Sequence, residues 1–99
     1  MKKKIYISGP MTGIADFNYP AFNKKAKALK KVGYKVCNPA KIKHKDKNNW
    51  TMCLKESIIK MLTCDTVFLL DGWEKSDGAT IEKELAEKVN MELVGGIKR

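Results

Sequence analysis

Residues 65–70 form the stretch Asp65-Thr66-Val67-Phe68-Leu69-Leu70, which decides the fold. It is a nearly continuous apolar run between polar ends. Such a run is typical of a central strand that is buried on both faces of a parallel sheet. The segments on either side of it alternate between strand and helix patterns, as an α/β protein requires.

Toward the N-terminus, the chain opens with a strand and a helix. Ile5-Tyr6-Ile7 is a short β-rich run that ends at the turn residues Ser8-Gly9-Pro10. After a loop, Asn18 is predicted to cap a helix and Gly33 to close it. The apolar face of this helix is predicted to consist of Phe22, Ala26 and Leu29.

A second strand and helix precede the central run. Residues 34–37 predict the strand, which ends at Asn38-Pro39, and residues 40–49 predict a polar, Lys-rich loop. Asn49 is expected to cap the next helix. The apolar face of that helix is predicted to consist of Trp50, Leu54, Ile58, Met61 and Leu62.

After the central run, a loop from Asp71 to Gly78 leads into a helix over about residues 79–89. Residues 91–94 predict a final edge strand, and a basic tail follows Gly95-Gly96. The inward face of the helix is predicted to consist of Leu85, Ala86 and Val89. The whole chain, residues 1–99, is therefore predicted to be one α/β domain of about four parallel strands with helices on both faces.

The charge of the chain is strongly uneven. Twenty Lys and Arg against eleven Asp and Glu give a net charge of +9; residues 1–60 carry +12 and residues 61–99 carry −3. A basic protein of this size suggests a nucleic-acid partner. However, Arg99 is the only Arg, and specific readers of phosphate and bases use the bidentate fork of Arg. We therefore expect a solvated basic surface, with nucleic-acid binding as the less favoured alternative.

The cysteines indicate neither a disulfide framework nor a zinc site. Cys37, Cys53 and Cys64 are odd in number and lack C-x-x-C spacing, and His44, the only histidine, lies in the Lys-rich loop, where we expect it to be exposed. The apolar run after the first four residues is too short for a signal peptide or a membrane span. These features predict a cytoplasmic protein with no metal, cofactor or membrane partner.

Two segments are candidates for ligand binding, because open α/β sheets bind ligands beyond the carboxyl ends of their strands. They are residues 8–13 and residues 71–82, and neither matches the phosphate-binding or dinucleotide-binding glycine motifs. Glu82, four residues after Gly78, is predicted to lie in the first turn of its helix near this edge. It is a candidate catalytic carboxylate; the alternative is that it only complements the helix dipole.

Two motifs resemble the nucleoside 2-deoxyribosyltransferase-like superfamily. One is Tyr6-Ile7-Ser8-Gly9-Pro10-Met11-Thr12-Gly13, and the other runs from Gly72-Trp73-Glu74-Lys75-Ser76-Asp77-Gly78 to Glu82. Asn38-Pro39-Ala40 also matches, most closely a small branch of uncharacterised proteins that is common in phages and prophages. The resemblance implies a three-layer, flavodoxin-like or Rossmann-like fold.

The resemblance also implies an activity: cleavage or exchange of the N-glycosidic bond of a (deoxy)nucleoside or its 5′-monophosphate. Glu82 would be the nucleophile that attacks C1′, and Tyr6 would orient its carboxylate. The sugar and base would contact Ser8, Gly9 and Met11, and the 5′-phosphate would lie at Ser76 and Gly78. On this view most of the site belongs to the acidic half of the chain.

One departure concerns an acid on the second helix that superfamily members with demonstrated chemistry usually carry, where it holds the sugar or assists the leaving base. The matching position here is Ser57, with Glu56 turned about 100° around the helix. Asp71 is the predicted catalytic substitute, with Asp77 as an alternative, and Gly72 and Trp73 are predicted to contact substrate. Trp73 either stacks on the base or anchors its loop. The open alternatives are therefore an enzyme, working as a dimer or higher homo-oligomer, and a non-catalytic nucleotide-binding protein.

Overall fold

Strands and helices alternate along the chain in this computed structural model, which describes residues 3–96. The strands are β1 (Lys4–Ser8), β2 (Lys35–Cys37), β3 (Thr66–Leu69) and β4 (Glu92–Gly95). The helices are α1 (Tyr19–Val32), α2 (Trp50–Met61) and α3 (Asp77–Lys88). All strand pairs are parallel, in the order β2-β1-β3-β4. The predicted α/β, flavodoxin-like fold is confirmed, and β4 is an edge strand as expected.

The strand register determines which side chains share a face of the sheet. Tyr6 of β1 lies opposite Cys37 of β2 and Val67 of β3. Because side chains alternate along a strand, Tyr6 and Ser8 point to one face while Ile7 points to the other. Side chains that are neighbours on one face of the sheet therefore form one core, and those on the opposite face form a second core.

Each face of the sheet is covered by helix. On one face, Ile7 packs with Phe22 and Ala26 of α1. On the other, Tyr6, Val67 and Leu69 pack with Met61 of α2 and Ala86 of α3. Three of the four β3 residues are buried, as predicted for a central strand: Thr66, Val67 and Leu69.

Helix ends follow the sequence signals at two of three predicted positions. The Asn49 side chain accepts a hydrogen bond from the Met52 amide at 3.0 Å and caps α2, and Gly33 closes α1 with a φ of +113°. Asn18 stands at the predicted N-cap position of α1, but its side chain makes no capping hydrogen bond. Asn18 has a φ of +60° and its side-chain amide donates instead to the Pro10 carbonyl at 3.0 Å, tying the start of α1 to the loop after β1.

Helix α3 begins two residues earlier than predicted. The Ser76 hydroxyl accepts from the Ala79 amide at 3.1 Å, so Ser76 is the N-cap and Asp77 the first helical residue. Glu82 therefore lies in the second turn of α3 rather than in the first. In the second turn the helix dipole contributes little to stabilising the Glu82 carboxylate, because the effect of the dipole falls off within the first turn.

Three residues predicted to face the core are instead about half exposed. They are Trp50 at 48%, Leu62 at 50% and Val89 at 48%. The latter two lie at the C-terminal ends of their helices, and Trp50 is the first residue of α2. The predicted basic tail, residues 97–99, lies outside the described residues. Within residues 3–96, no helix is long and apolar enough to cross a membrane.

Candidate functional site

A cleft of about 340 Å³ opens where the carboxyl end of β1 meets the first turns of α2 and α3. Its floor includes Tyr6 and Glu82, and its sides include the aromatic rings of Phe17, Tyr19 and Trp50. This is the sheet edge at which parallel α/β proteins bind ligands. The volume lies at the lower end of the range for small-molecule sites.

Glu82 is held between two hydroxyl groups of β1. The Tyr6 hydroxyl donates to Glu82 Oε2 at 2.6 Å, and the Ser8 hydroxyl donates to Oε1 at 2.7 Å. Both donors point to the face that α3 covers because they are two residues apart on the strand. Only 5% of Glu82 is exposed, so its carboxylate is a buried acceptor with one donor on each oxygen.

Burial and hydrogen bonding act on Glu82 in opposite directions. Burial raises the pKa of the Glu82 carboxyl above its ordinary value, and the bonds from Tyr6 and Ser8 partly offset this because they favour the ionised form. The pKa of Tyr6 lies well above its ordinary value, mainly because of its own burial and also because of the Glu82 charge. Tyr6 therefore remains a hydroxyl donor, and the two hydroxyls supply the local support for the ionised carboxylate.

Ser57 extends this arrangement into α2. Its side chain lines the cleft beside Tyr6, and its proximity to the Tyr6 hydroxyl acts to lower the pKa of that tyrosine, a minor effect against burial and the Glu82 charge. Its neighbour Glu56 points elsewhere, with Oε1 2.8 Å from His44 Nδ1. The sequence prediction that Ser57 and Glu56 face different directions is confirmed. Ser57 thus lines the same cleft as the hydrogen-bonded pair Glu82 and Tyr6.

Most of the predicted binding residues come together at the cleft. Besides Tyr6 and Glu82, the lining includes Gly9, Met11, Ser76 and Gly78. Ser8 contacts the site through its bond to Glu82. Residues 8–13 and the start of α3 therefore meet, as the position of parallel strand ends predicts.

Asp71, Gly72 and Trp73 are not among the described residues that line the cleft. Asp71 is exposed. Trp73 lies outside the cleft lining because two contacts hold it elsewhere. Its indole Nε1 donates to the Gly96 carbonyl at 2.7 Å, and its ring packs against the core on the α2 and α3 face. The predicted catalytic Asp71 and the predicted substrate contacts Gly72 and Trp73 therefore lie apart from the residues that line the cleft, and of the two alternatives for Trp73 the structure favours the anchor of its loop.

The outer wall of the cleft was missed from the sequence. It contains His44, Lys47 and Asn48 from the Lys-rich loop, and Cys53 and Leu54 from α2. The prediction that the site belongs mainly to the acidic half is wrong, since most lining residues precede residue 61. The one signal in the sequence was Asn49, the cap residue of α2. Asn49 determines where the Lys-rich loop ends and the helix begins, but not where the loop lies relative to the sheet.

Three of the described residues have side chains that could hold a metal ion: His44, Cys53 and Glu56, whose ligand atoms lie within 4.8 Å of one another. The local electrostatics disfavour a cation. The pKa of Cys53 is raised by partial burial and by Glu56 and Asp46, so its thiol keeps its proton. Four lysines also surround this segment: Lys41, Lys43, Lys45 and Lys47.

Comparison with known proteins gives one family match. A family model described as "Domain of unknown function (DUF4406)" matches residues 3–95. No curated protein matches the chain. The family match spans both β1 and α3, and so includes all the residues that hold Glu82.

Proposed function

The chain belongs to the DUF4406 family, and we propose that it cleaves or exchanges the N-glycosidic bond of a (deoxy)nucleoside or its 5′-monophosphate. Glu82 is the nucleophile in this proposal. The observation that carries it is a buried carboxylate, held by two hydroxyl donors, on the floor of a cleft of about 340 Å³. The choice of substrate class rests on the sequence resemblance.

The proposed reaction has two displacement steps. A Glu82 oxygen attacks C1′ of the sugar, the C1′–N bond breaks, and the base leaves with the bonding electron pair and gains a proton. Water, or the ring nitrogen of a second base, then attacks C1′, breaks the glycosyl ester and restores the carboxylate. The transition states resemble an oxocarbenium ion, which a nearby negative oxygen stabilises, as in retaining glycosidases.

The lining of the cleft supports a ligand with an aromatic and an anionic part. The Phe17 and Tyr19 rings lie 5.9 Å apart between centroids and form an apolar side with Trp50. Lys47 supplies a cation, and Ser76 lies at the N-terminus of α3. Backbone amides at a helix N-terminus favour a phosphate group.

The direct test is release of free base from the four common deoxynucleoside 5′-monophosphates and their nucleosides, followed by chromatography. We expect the wild type to release base from at least one of them and Glu82→Gln to reduce the rate by at least about 10³-fold. Glu84→Gln, the same substitution at an exposed position of α3, is the control and retains the wild-type rate. No release from any substrate, or equal release by Glu82→Gln, would contradict the proposal.

The second candidate function is a non-catalytic nucleotide-binding protein. Ser57 favours it, because this residue stands where the resemblance implies a carboxylic acid, and it lines the cleft beside Tyr6. Calorimetry with the same nucleotides separates the two functions. Binding that is weakened by Lys47→Ala, without any release of base over hours, identifies a binding protein.

Two further properties belong to the proposal. The three cysteines are free thiols, which supports a cytoplasmic location because thiols remain reduced there. The resemblance also favours a homo-oligomer, which analytical ultracentrifugation would detect as a mass at least twice the 11.2 kDa of the chain.

A further inference from the structure

His44 and Glu56 form a partly buried pair beside the cleft. His44 Nδ1 lies 2.8 Å from Glu56 Oε1, and the two side chains are 14% and 22% exposed. His44 lines the cleft, whereas Glu56 is not one of its lining residues. The carboxylate that contacts the imidazole therefore belongs to a residue outside the lining of the cleft.

This contact determines which ring nitrogen is available. A carboxylate only accepts hydrogen bonds, so the hydrogen between the two groups lies on Nδ1. Among residues 3–96, no hydrogen bond to Nε2 is found. An imidazole that is oriented through Nδ1 and open at Nε2 is the arrangement in which histidine exchanges protons with a substrate.

We propose that His44 is the proton donor to the leaving base and that Glu56 is the residue that positions it. This inference rests on the proposed N-glycosidase or transferase function. In the first step, the Nε2 proton passes to the base as the C1′–N electron pair moves onto it, leaving a neutral imidazole. In the second step, Nε2 takes a proton from the water, or from the second base, that attacks C1′, which restores the imidazolium.

The surroundings of His44 suit this role. On α2 it faces Glu56 and Cys53, from its own loop Lys47 lines the same cleft, and across the cleft lies Glu82 of α3. Glu56 holds Nδ1, the ring nitrogen that does not donate to the base. The pair thereby supplies the acid that is absent at Ser57, from a loop rather than from the second helix.

The test compares two leaving groups that differ in their need for a proton. One substrate is the deoxynucleoside 5′-monophosphate that the wild type cleaves fastest, and the other is 4-nitrophenyl 2-deoxyribofuranoside 5-phosphate, whose nitrophenolate departs without protonation. We expect His44→Gln to slow release of the base by about 10²–10⁴-fold and to change release of nitrophenolate by less than about 3-fold. Glu56→Gln shows the same selectivity with a smaller loss.

Two controls separate the possible failures. Glu82→Gln slows both substrates, since the nucleophile is needed for either, and Glu84→Gln slows neither. If His44→Gln slows both substrates equally, or leaves both unchanged, His44 is not the proton donor although the proposed function stands. If the wild type cleaves neither substrate, the proposed function fails and this inference fails with it.

Discussion

Tyr6 and Glu82 are 76 positions apart in the sequence, yet the tyrosine hydroxyl lies 2.6 Å from the glutamate carboxylate. The contact exists because β1 lies in the centre of the sheet and α3 crosses over the face to which Tyr6 points. It joins the two motifs that carry the resemblance. Its consequence is a carboxylate that is buried but can still be ionised.

Tyr6→Phe removes one of the two donors of Glu82. Because that bond lowers the Glu82 pKa, its loss should raise the pKa further and shift the rising limb of the pH–activity profile to higher pH. A hydrogen bond to a charged group is worth about 1.5–3 kcal/mol, so we expect base release at neutral pH to fall by about 10–100-fold. Tyr34→Phe, at an exposed position, is the matched control. An unshifted profile in Tyr6→Phe would show that this bond does not support the ionised form.

The same buried carboxylate should make stability depend on pH. The folded-state pKa of Glu82 is raised above its ordinary value by burial, so folding favours the protonated form. The stability that this contributes is complete below the ordinary pKa of about 4.3 and is lost as the pH rises through the folded-state pKa. Glu82→Gln lacks this loss. We therefore expect the melting temperature of Glu82→Gln, measured relative to that of the wild type, to increase as the pH rises from 4 to 8.

Thermal unfolding followed by circular dichroism across this pH range measures the effect. Glu84→Gln changes a carboxylate on the exposed surface of the same helix, so its difference from the wild type should stay nearly constant with pH. A constant difference for Glu82→Gln as well would mean that burial of Glu82 has no linkage to folding.

The features that were predicted correctly from the sequence are the local ones. The apolar run of β3 indicates a buried strand whatever surrounds it, and Asn49 acts as a cap through its own neighbours. The pairing of Glu82 with Tyr6 followed from the resemblance and from the edge at which parallel strands end. Each of these depends on a short motif or on the general rules of α/β topology.

The features that were missed depend on long-range contacts. His44 belongs to an irregular loop without periodicity, and only its 2.8 Å contact with Glu56 reveals a constrained position. Trp73 has two plausible environments in the sequence, and the Gly96 carbonyl, 23 residues away, determines which one it adopts. No local pattern encodes either partner.

Cys37 should be the most reactive of the three thiols. Its pKa is lowered to about 7, mainly by the neighbouring Cys64 thiol and also by the charges of Lys4 and Lys60, whereas the pKa values of Cys53 and Cys64 are raised. At pH 7 we expect iodoacetamide to modify Cys37 about tenfold faster than Cys53, since alkylation follows the thiolate. Peptide mass spectrometry over a time course measures the rates. Cys64→Ala removes the neighbouring thiol and should slow the modification of Cys37; an unchanged rate would contradict this cause.

Gly9 and Gly78 both line the cleft, but an added methyl group should affect folding oppositely at the two positions. A Cβ at Gly9 would lie 2.8 Å from Leu70 Cβ, which is too close for two carbons. Leu70 is buried against Ile7 and α1 and cannot move away freely. Gly9→Ala should therefore destabilise the protein by about 1–3 kcal/mol. A Cβ at Gly78 would meet Leu54 Cδ1 of α2 at 3.7 Å, which is an ordinary contact. Because Gly78 lies in helix α3, where Ala is favoured over Gly, Gly78→Ala should be neutral or stabilising by up to about 1 kcal/mol. Urea unfolding of the pair measures both changes, and equal effects would show that the close approach of β1 to Leu70 is not what requires glycine at position 9.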